Sequence, residues 1–274
     1  MTVDSEARLE PKSTLQAMDI HDSWKTQFRS GENDRFYDLA FDYLARTFGD
    51  PKVGGPVVDA GCGSATKSLQ LAKRGFQVRA LDFSEAILVE ARAEAQKAGF
   101  ADRIDFQQAD LTALTLPTAS TQRALCWGVL MHVPAVEKAI AELSRIVAPG
   151  GTLIISEGNK RSIQAWGLRT LKRLLGKERA EIIPTPAGLE FWEETRTGKL
   201  MTRQADIPWF IAEFERHGLK LRERSAGQFT EIYMILPWKP LRTLVHAFNN
   251  FWFRALGSFA GGSYGNILVF QRPL

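Results

Sequence analysis

The residues best suited to chemistry in this chain are carboxylates and glycines close to position 60. Asp59 is followed by Gly61 and Gly63, which let the backbone turn tightly and come close to a ligand. Asp82 stands about 20 residues after Gly61, the distance at which an acid bonds the hydroxyls of a ribose. The spacing therefore predicts a nucleoside site made of a glycine loop and a following acid.

The charge of this loop favours a cationic ligand over a pyrophosphate. A dinucleotide fingerprint would carry a third glycine where Thr66 stands. Asp59 would repel bound phosphates, whereas a carboxylate attracts an ammonium or sulfonium group. An NAD-dependent oxidoreductase is an alternative that the loop disfavours.

The elements that must position these residues alternate regularly along the chain. Short apolar segments typical of buried strands are followed by helical patterns, which predicts an α/β, doubly wound, mostly parallel sheet. The predicted strands are 56–60, 77–81, 104–107, 124–127, 152–156, 219–224 and 266–270. Ligands of such sheets bind at the carboxyl ends of the strands, where the glycine loop lies.

The remaining segments predict one domain with two insertions. Residues 1–20 are polar and aperiodic and predict a flexible arm, while 21–274 predict a single domain that opens with a helix over 21–48. Cap insertions interrupt the domain at about 159–205 and 231–262. The first insertion is predicted to be a helix over 159–176 followed by an irregular segment, and a further helix is predicted over 207–216.

Composition excludes several classes of protein. The 274 residues are 45% hydrophobic and 24% charged, as in ordinary folded domains, and the net charge of +4 gives no ground for a nucleic-acid partner. Two cysteines are too few for a disulfide framework or a cysteine-held metal site. No apolar run approaches the roughly 18 residues of a membrane helix, and no signal peptide is evident, so we expect a cytoplasmic protein.

Several segments, in order, resemble the motifs of class I S-adenosylmethionine-dependent methyltransferases, in the branch similar to ubiquinone-biosynthesis enzymes. They are VVDAGCG (57–63), LDFS (81–84), QADL (108–111), LMHVP (130–134) and LSRIVAPGG (143–151). The resemblance covers about 57–157 and implies a Rossmann-like, seven-stranded sheet with an antiparallel last strand and S-adenosyl-L-methionine as the cofactor. One departure is visible, since Arg123-Ala124 replaces the acid often found at the start of the fourth strand.

The resemblance also implies which residues contact the cofactor. The first motif would lie near the methionine portion, the second at the ribose, the third near the adenine, and the segment after the fourth strand beside the methyl-bearing sulfur. The implied contacts are Asp59, Gly61, Gly63, Asp82, Phe83, Asp110, Leu111 and Trp127. In such proteins an N-terminal helix folds over the cofactor, so Trp24, Phe36 and Tyr37 are either part of that cover or core aromatics.

The absence of certain motifs restricts the classes of methyl acceptor. The segment 126–129 reads CWGV, so the Asn/Asp-Pro-Pro-Tyr/Phe loop of nucleobase amine methylation is absent. Cys62 and Cys126 do not follow a proline, as a nucleophilic cysteine of cytosine methylation typically does, and no carboxylates cluster over 125–136 to hold a metal ion. We therefore predict metal-free, in-line methyl transfer to a small molecule, at oxygen in preference to nitrogen or carbon.

Two residues are candidates for the general base that an alcohol or phenol acceptor needs. His132 follows the fourth strand, and Glu157 ends the fifth strand at the rim where ligands bind. His132 is equally suited to a structural role, and Glu157 to that of a solvated strand-end carboxylate. His246 and Tyr233 in the second insertion are weaker alternatives.

The insertions carry the clues to the acceptor and to partners. Seven basic residues lie over 160–179 against a single acid, on a predicted helix whose other side is apolar. Either this helix packs its apolar side inward and solvates its charges, or it meets anionic lipid or an acidic substrate. The second insertion is rich in apolar residues, which predicts a partly hydrophobic acceptor or lipid-linked substrate. The residues predicted to contact it are Trp24, Tyr37, Trp166 and Tyr233. A non-catalytic scaffold that binds a partner through its insertions is an alternative.

Overall fold

The structure is a computed structural model that describes residues 33–174, 181–195 and 198–274. The strands are β1 (Val57–Ala60), β2 (Val78–Asp82), β3 (Ile104–Gln108), β4 (Thr121–Trp127), β5 (Val147–Gly158), β6 (Glu181–Thr185), β7 (Gly188–Thr195), β8 (Gly198–Ala205), β9 (Lys220–Ala226) and β10 (Gly265–Gln271). The helices are α1 (Asp34–Phe48), α2 (Thr66–Lys73), α3 (Glu85–Lys97), α4 (Val136–Ile146), α5 (Ile163–Leu174), α6 (Ile207–Arg216) and α7 (Lys239–Leu256).

Seven strands form one large sheet in the order β3-β2-β1-β4-β5-β10-β9. The first five are parallel, and β10 runs antiparallel to both β5 and β9. The predicted doubly wound sheet with an antiparallel last strand is therefore confirmed. The strand order reverses between β1 and β4, and at such a point a crevice opens beyond the carboxyl ends of the strands.

The sheet is covered on both faces, which explains why its central strands are apolar throughout. All four residues of β1 are buried. One face packs on α4 and α6 through residues such as Ile140, Leu143 and Phe210, and the other face packs on α1 and α2 through residues such as Phe41 and Leu71. Both faces bury apolar area that favours folding by about 25 cal/mol per Å².

Helix starts follow local hydrogen bonds. Ser84 caps α3 as its sequence predicts, its hydroxyl accepting the N–H of Ile87 at 3.4 Å. Ser162 caps α5 in the same way through Ala165, so this helix begins at Ile163 instead of 159. The predicted helix over 21–48 is described only as α1, and the flexible arm predicted for 1–20 lies outside the described residues.

A second, three-stranded antiparallel sheet, β6-β7-β8, occupies the segment predicted to be irregular. We call it the meander. Its alternation is visible in β8, where Met201, Arg203 and Ala205 face inward, but an arginine at the central inward position hides the apolar period. The first insertion is thus a helix followed by a small sheet.

Arg203 attaches the meander to the large sheet. Its side chain is 1% exposed, donates to the carbonyl oxygens of Leu130 at 2.8 Å and Val133 at 3.0 Å, and pairs with Glu190 at 2.7 Å. These acceptors belong to the segment between β4 and α4. The meander therefore holds the loop that follows β4.

None of the helices among the described residues is long and apolar enough to cross a membrane.

We expect Arg203→Leu to lower the free energy of unfolding by about 3–5 kcal/mol, because it leaves Glu190 and two buried carbonyls without their partner. Urea unfolding near neutral pH measures this loss. The control is Arg222→Leu on β9, an exposed side chain whose replacement should cost less than about 0.5 kcal/mol. Equal, small losses in both variants would contradict this role.

Candidate active site

The residues predicted to bind a cofactor all lie at the carboxyl edge of the parallel strands. Asp59 sits between Ala80 of β2 and Leu125 of β4 in the sheet register. Gly61 and Gly63 follow β1, Asp82 ends β2 and is followed by Phe83, Asp110 and Leu111 follow β3, and Trp127 ends β4. Topology therefore brings these predicted residues to one crevice.

Asp59 is a buried acid at the base of the glycine loop. It is 1% exposed, and its Oδ2 accepts the hydroxyl of Ser68 at 2.6 Å. The pKa of Asp59 is raised to about 6, mainly by burial and also by the negative charge of Asp82. The Ser68 hydroxyl and the charge of Lys67 oppose this rise. A cation arriving beside Asp59 would stabilise its charged form.

Asp82 ties the loop after β2 to the loop after β1. Its Oδ2 accepts the N–H of Gly63 at 2.9 Å, and its Oδ1 accepts the N–H of Ser84 at 3.1 Å. Asp82 thus fixes the glycine loop against the start of α3.

The glycines of the crevice differ in the space around them. Gly61 has φ +81°, and an added Cβ there would stand 2.5 Å from Val129 Cγ1, so the glycine loop packs directly on the segment after β4. Gly63 and Gly128 also have positive φ, but an added Cβ at either meets none of the described residues within 4 Å. The described part of the chain therefore leaves both positions uncovered at the strand edge.

The residues implied for the ribose and adenine regions differ in exposure. Phe83 is half-buried, and its carbonyl accepts Gln108 Nε2 at 2.9 Å. Asp110 is half-buried and its Oδ1 accepts both the N–H and the hydroxyl of Thr112, at 2.9 and 2.8 Å. Leu111 is 7% exposed and packs in the core, so its side chain supports the crevice floor.

Helix α1 covers the crevice on the side of β4. Trp127 packs on Phe41 with ring centroids 5.5 Å apart and on Tyr37 at 6.4 Å. The Lys67 ammonium, at the start of α2, lies 4.9 Å from the centroid of the Tyr37 ring. Tyr37 therefore lies beside Trp127 and the start of α2, the helix that follows the glycine loop, whereas Phe36 is a core aromatic at 3% exposure. Trp24 lies outside the described residues.

The turn after β4, the 3-10 turn Leu130–His132, is held from two sides. Glu157 of β5 is 3% exposed, and its Oε1 accepts the N–H of Leu130 at 3.0 Å. Arg203 donates to the carbonyl of the same residue. Burial raises the pKa of Glu157 to about 8, against the opposing effects of the turn's N–H groups and of Arg203. Glu157 is thus a buried group and not a solvated strand end.

His132 is half-buried on this turn, and its Nδ1 lies 3.0 Å from the carbonyl oxygen of Met201 in β8. A carbonyl oxygen only accepts, so Nδ1 carries the proton in this hydrogen bond. The neutral imidazole therefore has its lone pair on Nε2, the tautomer that a general base needs.

Tyr233 is buried in a polar cluster between the second insertion and α1. Its hydroxyl donates to Gln228 Oε1 at 2.9 Å and accepts Asn33 Nδ2 at 3.3 Å, and its ring lies 4.2 Å from that of His246. Burial and Glu231 raise the pKa of Tyr233. Tyr233 and His246 thus serve as internal contacts of the cap, and neither is brought to the turn that carries His132.

Two further residues near Glu157 escaped the sequence analysis. An added Cβ at Gly158 would stand 3.4 Å from the hydroxyl of Tyr264, so this tyrosine covers the end of β5. Burial, then Glu231 and Glu157, raise the pKa of Tyr264, and burial raises the pKa of Glu231 to about 7. Acids gathered from distant segments leave no local sequence signal.

Trp166, predicted to contact substrate, is not brought to this crevice. It lies on α5 with 66% of its surface exposed, and its side chain is directed to solvent.

Comparison with known proteins finds relatives for part of the chain. Residues 58–155 match a family model described as a methyltransferase domain. The ubiquinone biosynthesis O-methyltransferase of Idiomarina loihiensis is 32% identical over 130 residues, 46% of this chain and 52% of that protein. The S-adenosyl-L-methionine-dependent Diels-Alderase iccD of Talaromyces variabilis is 34% identical over 110 residues, 39% of this chain and 38% of that protein. The match thus spans about half the length of these curated relatives or less.

Solved structures extend the likeness in fold to nearly the whole chain. The magnesium protoporphyrin IX methyltransferase of Synechocystis PCC 6803, with bound SAH, superposes with a TM-score of 0.63 at 20% identity, over 95% of this chain and 98% of that chain. A geranyl diphosphate methyltransferase in complex with GPP and sinefungin superposes with a TM-score of 0.55 at 14% identity, over 85% and 78%. At these identities the likeness establishes the fold alone.

We expect Asp59→Asn to remove a pH dependence of stability from the ligand-free protein. Asp59 has a pKa of about 6 when folded and an ordinary value of 3.8 when unfolded, so its contribution to stability is full below about pH 4 and is lost as the pH rises through 6. The variant should therefore gain on the wild type by up to about 3 kcal/mol between pH 4 and pH 7.

Urea unfolding at about pH 4.5 and about pH 7.5 measures this gain, with the exposed Asp102→Asn as the control. The same difference between wild type and Asp59→Asn at both pH values would show that the acid carries no raised pKa.

Proposed function

We propose that this chain methylates a small molecule at an oxygen atom. The premise is that residues 58–155 are a class I methyltransferase domain whose cofactor is S-adenosylmethionine. One observation carries the proposal. Gly61 of the cofactor loop packs on Val129, three residues before His132, so a histidine with its lone pair on Nε2 stands on the segment that borders the cofactor loop.

The residues of the crevice fit this cofactor. Asp59 and Asp82 supply negative charge where a sulfonium and an ammonium need it, and the open space at Gly63 and Gly128 admits a ligand close to the backbone. Asp110 faces the adenine end and Tyr37 covers the loop. When bound, the cofactor supplies a methyl group on a cationic sulfur, which an acceptor's lone pair takes up in line.

His132 is the group that we assign as general base. A hydroxyl acceptor must lose its proton as it gains the methyl group, and a neutral imidazole takes a proton near neutral pH. The Met201 carbonyl fixes the ring orientation and stabilises the imidazolium that forms. A neutral amine is nucleophilic enough to attack before it loses a proton, whereas a hydroxyl is a weak nucleophile until its proton is removed, so a positioned base favours oxygen as the methylated atom.

Glu157 acts as a positioning residue in this account. Its Oε1 is committed to the N–H of Leu130, while Oε2 is buried without a hydrogen-bond partner among the described residues. A group so enclosed holds the turn, and with it the backbone that carries His132, in one place.

A partly hydrophobic acceptor suits the walls around this turn. Val133 follows it directly, and Val133 and the core residue Leu130 belong to one apolar cluster that also includes Val129. The names of two relatives, a ubiquinone biosynthesis enzyme and the sterol 24-C-methyltransferase ERG6B of Gibberella zeae, point to acceptors of this kind. Tyr264 and Glu231 add polar groups that orient such a molecule.

We expect His132→Gln to lower kcat by about 100-fold or more with a phenol or quinol acceptor, and to leave the Kd for S-adenosylmethionine within about twofold. Glu157→Gln keeps an oxygen for the N–H of Leu130 and should lower kcat by less than about tenfold. A methyl-transfer screen over phenols, quinols, amines and lipid extracts finds the acceptor, and calorimetry with S-adenosylmethionine and NAD measures the binding.

The control is His217→Gln, a partly exposed histidine at the end of α6, which should leave kcat unchanged. Full activity in His132→Gln with lost activity in Glu157→Gln would reverse the two roles. Binding of NAD in place of S-adenosylmethionine would overturn the proposed function itself.

A further inference from the structure

Helix α5 presents its apolar side to solvent, the reverse of an ordinary amphipathic helix. Ile163, Trp166 and Leu174 lie along one side and are 62%, 66% and 79% exposed. Its polar side is turned inward, where Ser162 caps the helix and Arg169 donates to the Lys160 carbonyl at 2.7 Å. The structure therefore differs from the first alternative of the sequence analysis, in which this helix packs its apolar side on the domain.

Helix α7 is inverted in the same way. Leu244 and Phe251 are 66% and 58% exposed, on a stripe that also contains Phe248. The buried residues of α7 are His246, Asn249 and Asn250. Asn249 is bonded by both ends of its amide to the backbone of Thr230, at 3.1 and 2.8 Å, which fixes the helix with its polar side inward.

The two apolar stripes belong to one surface. Gln164 of α5 accepts the Thr230 hydroxyl and the Glu231 N–H, which joins the two insertions. An added Cβ at Gly262 would stand 3.3 Å from Ile163 Cδ1 and 4.0 Å from the ring of Phe229, and that ring packs on Phe248 with centroids 5.3 Å apart. We call this surface, with Trp238 ahead of α7, the outward apolar face.

The border of the outward apolar face is rich in basic residues. The chain has 31 Asp and Glu residues, yet none occurs over 158–177 or over 232–274. Lys239 and Arg254 are exposed at the two ends of α7. Arg161, which precedes α5 with 64% of its side chain exposed, pairs with Asp206 at 3.2 Å. Aromatic and aliphatic side chains inside a cationic border are the composition of helices that lie in a lipid interface.

We propose that the outward apolar face docks on the surface of an anionic phospholipid bilayer. The apolar stripes enter the boundary between headgroups and acyl chains, and the basic border contacts the phosphates. Charge selects this occupant, because the two helices that form the face contain no carboxylate and α7 carries the exposed cations Lys239 and Arg254, which a uniformly negative surface attracts. The proposal stands apart from the methylation chemistry, since it rests on the cap alone.

The test is flotation of the full chain with two kinds of vesicle, phosphatidylcholine alone and phosphatidylcholine with about 30 mol % phosphatidylglycerol. We expect binding to the anionic vesicles that weakens as NaCl rises from about 0.1 to about 0.5 M. Leu244→Glu with Phe251→Glu should lower the partition coefficient by about tenfold or more for each side chain. The matched control is Val89→Glu, an apolar residue 61% exposed on α3, which should bind as the wild type does.

Charge is tested separately by Lys239→Glu with Arg254→Glu, which we expect to lower binding to anionic vesicles by about 25-fold or more. Lys97→Glu, exposed at the end of α3, is its control. The Kd for S-adenosylmethionine, unchanged in every variant, shows that the domain is folded.

Absence of binding to anionic vesicles, or equal binding to both kinds of vesicle, would overturn the proposal. So would a wild-type dimer in light scattering that Leu244→Glu with Phe251→Glu converts to a monomer, since a second copy would then cover the face.

Discussion

The turn after β4 depends on one buried arrangement, in which Glu157 and Arg203 hold the two ends of the same peptide segment. Glu157 accepts the N–H of Leu130, and Arg203 donates to its carbonyl. Arg203 is stable in the interior because it also pairs with Glu190, since an unpaired buried charge destabilises a fold by several kcal/mol. The sheet, the meander and the turn are therefore fixed together, and His132 and Val129 take their places from this contact.

Burial raises the pKa values of three acids in separate segments of the chain. Asp59 reaches about 6, Glu231 about 7 and Glu157 about 8. Each of them favours folding most when protonated, so the ligand-free site becomes less stable as the pH rises. We infer that a cationic cofactor offsets this cost at Asp59, which links binding of the cofactor to the charge of the loop.

Sequence reasoning predicted what local pattern encodes. The strand segments, the glycine loop and Asp82 follow from short spacing and turn chemistry, and the structure has them at one sheet edge. The meander was missed because its central inward residue is Arg203, whose burial depends on partners some 70 positions away. Glu231 and Tyr264 were missed for the same reason, since distant segments bring them together.

The two cap helices show a different limit. Periodicity in α5 and α7 predicts an apolar side, but not whether that side faces the core. The direction is decided by single polar anchors such as Arg169 on Lys160 and Asn249 on Thr230, which have no periodic signature. Trp166 was assigned to the substrate for want of this information.

The central claim is that the clamped turn presents His132 with its lone pair on Nε2, and nitrogen NMR of the histidine side chains tests it most directly. In the folded protein above the pKa of the ring, the account predicts a neutral His132 protonated on Nδ1, because that nitrogen donates to the Met201 carbonyl. A ring protonated on Nε2 would contradict it, since the nitrogen meant to take the proton would already hold one.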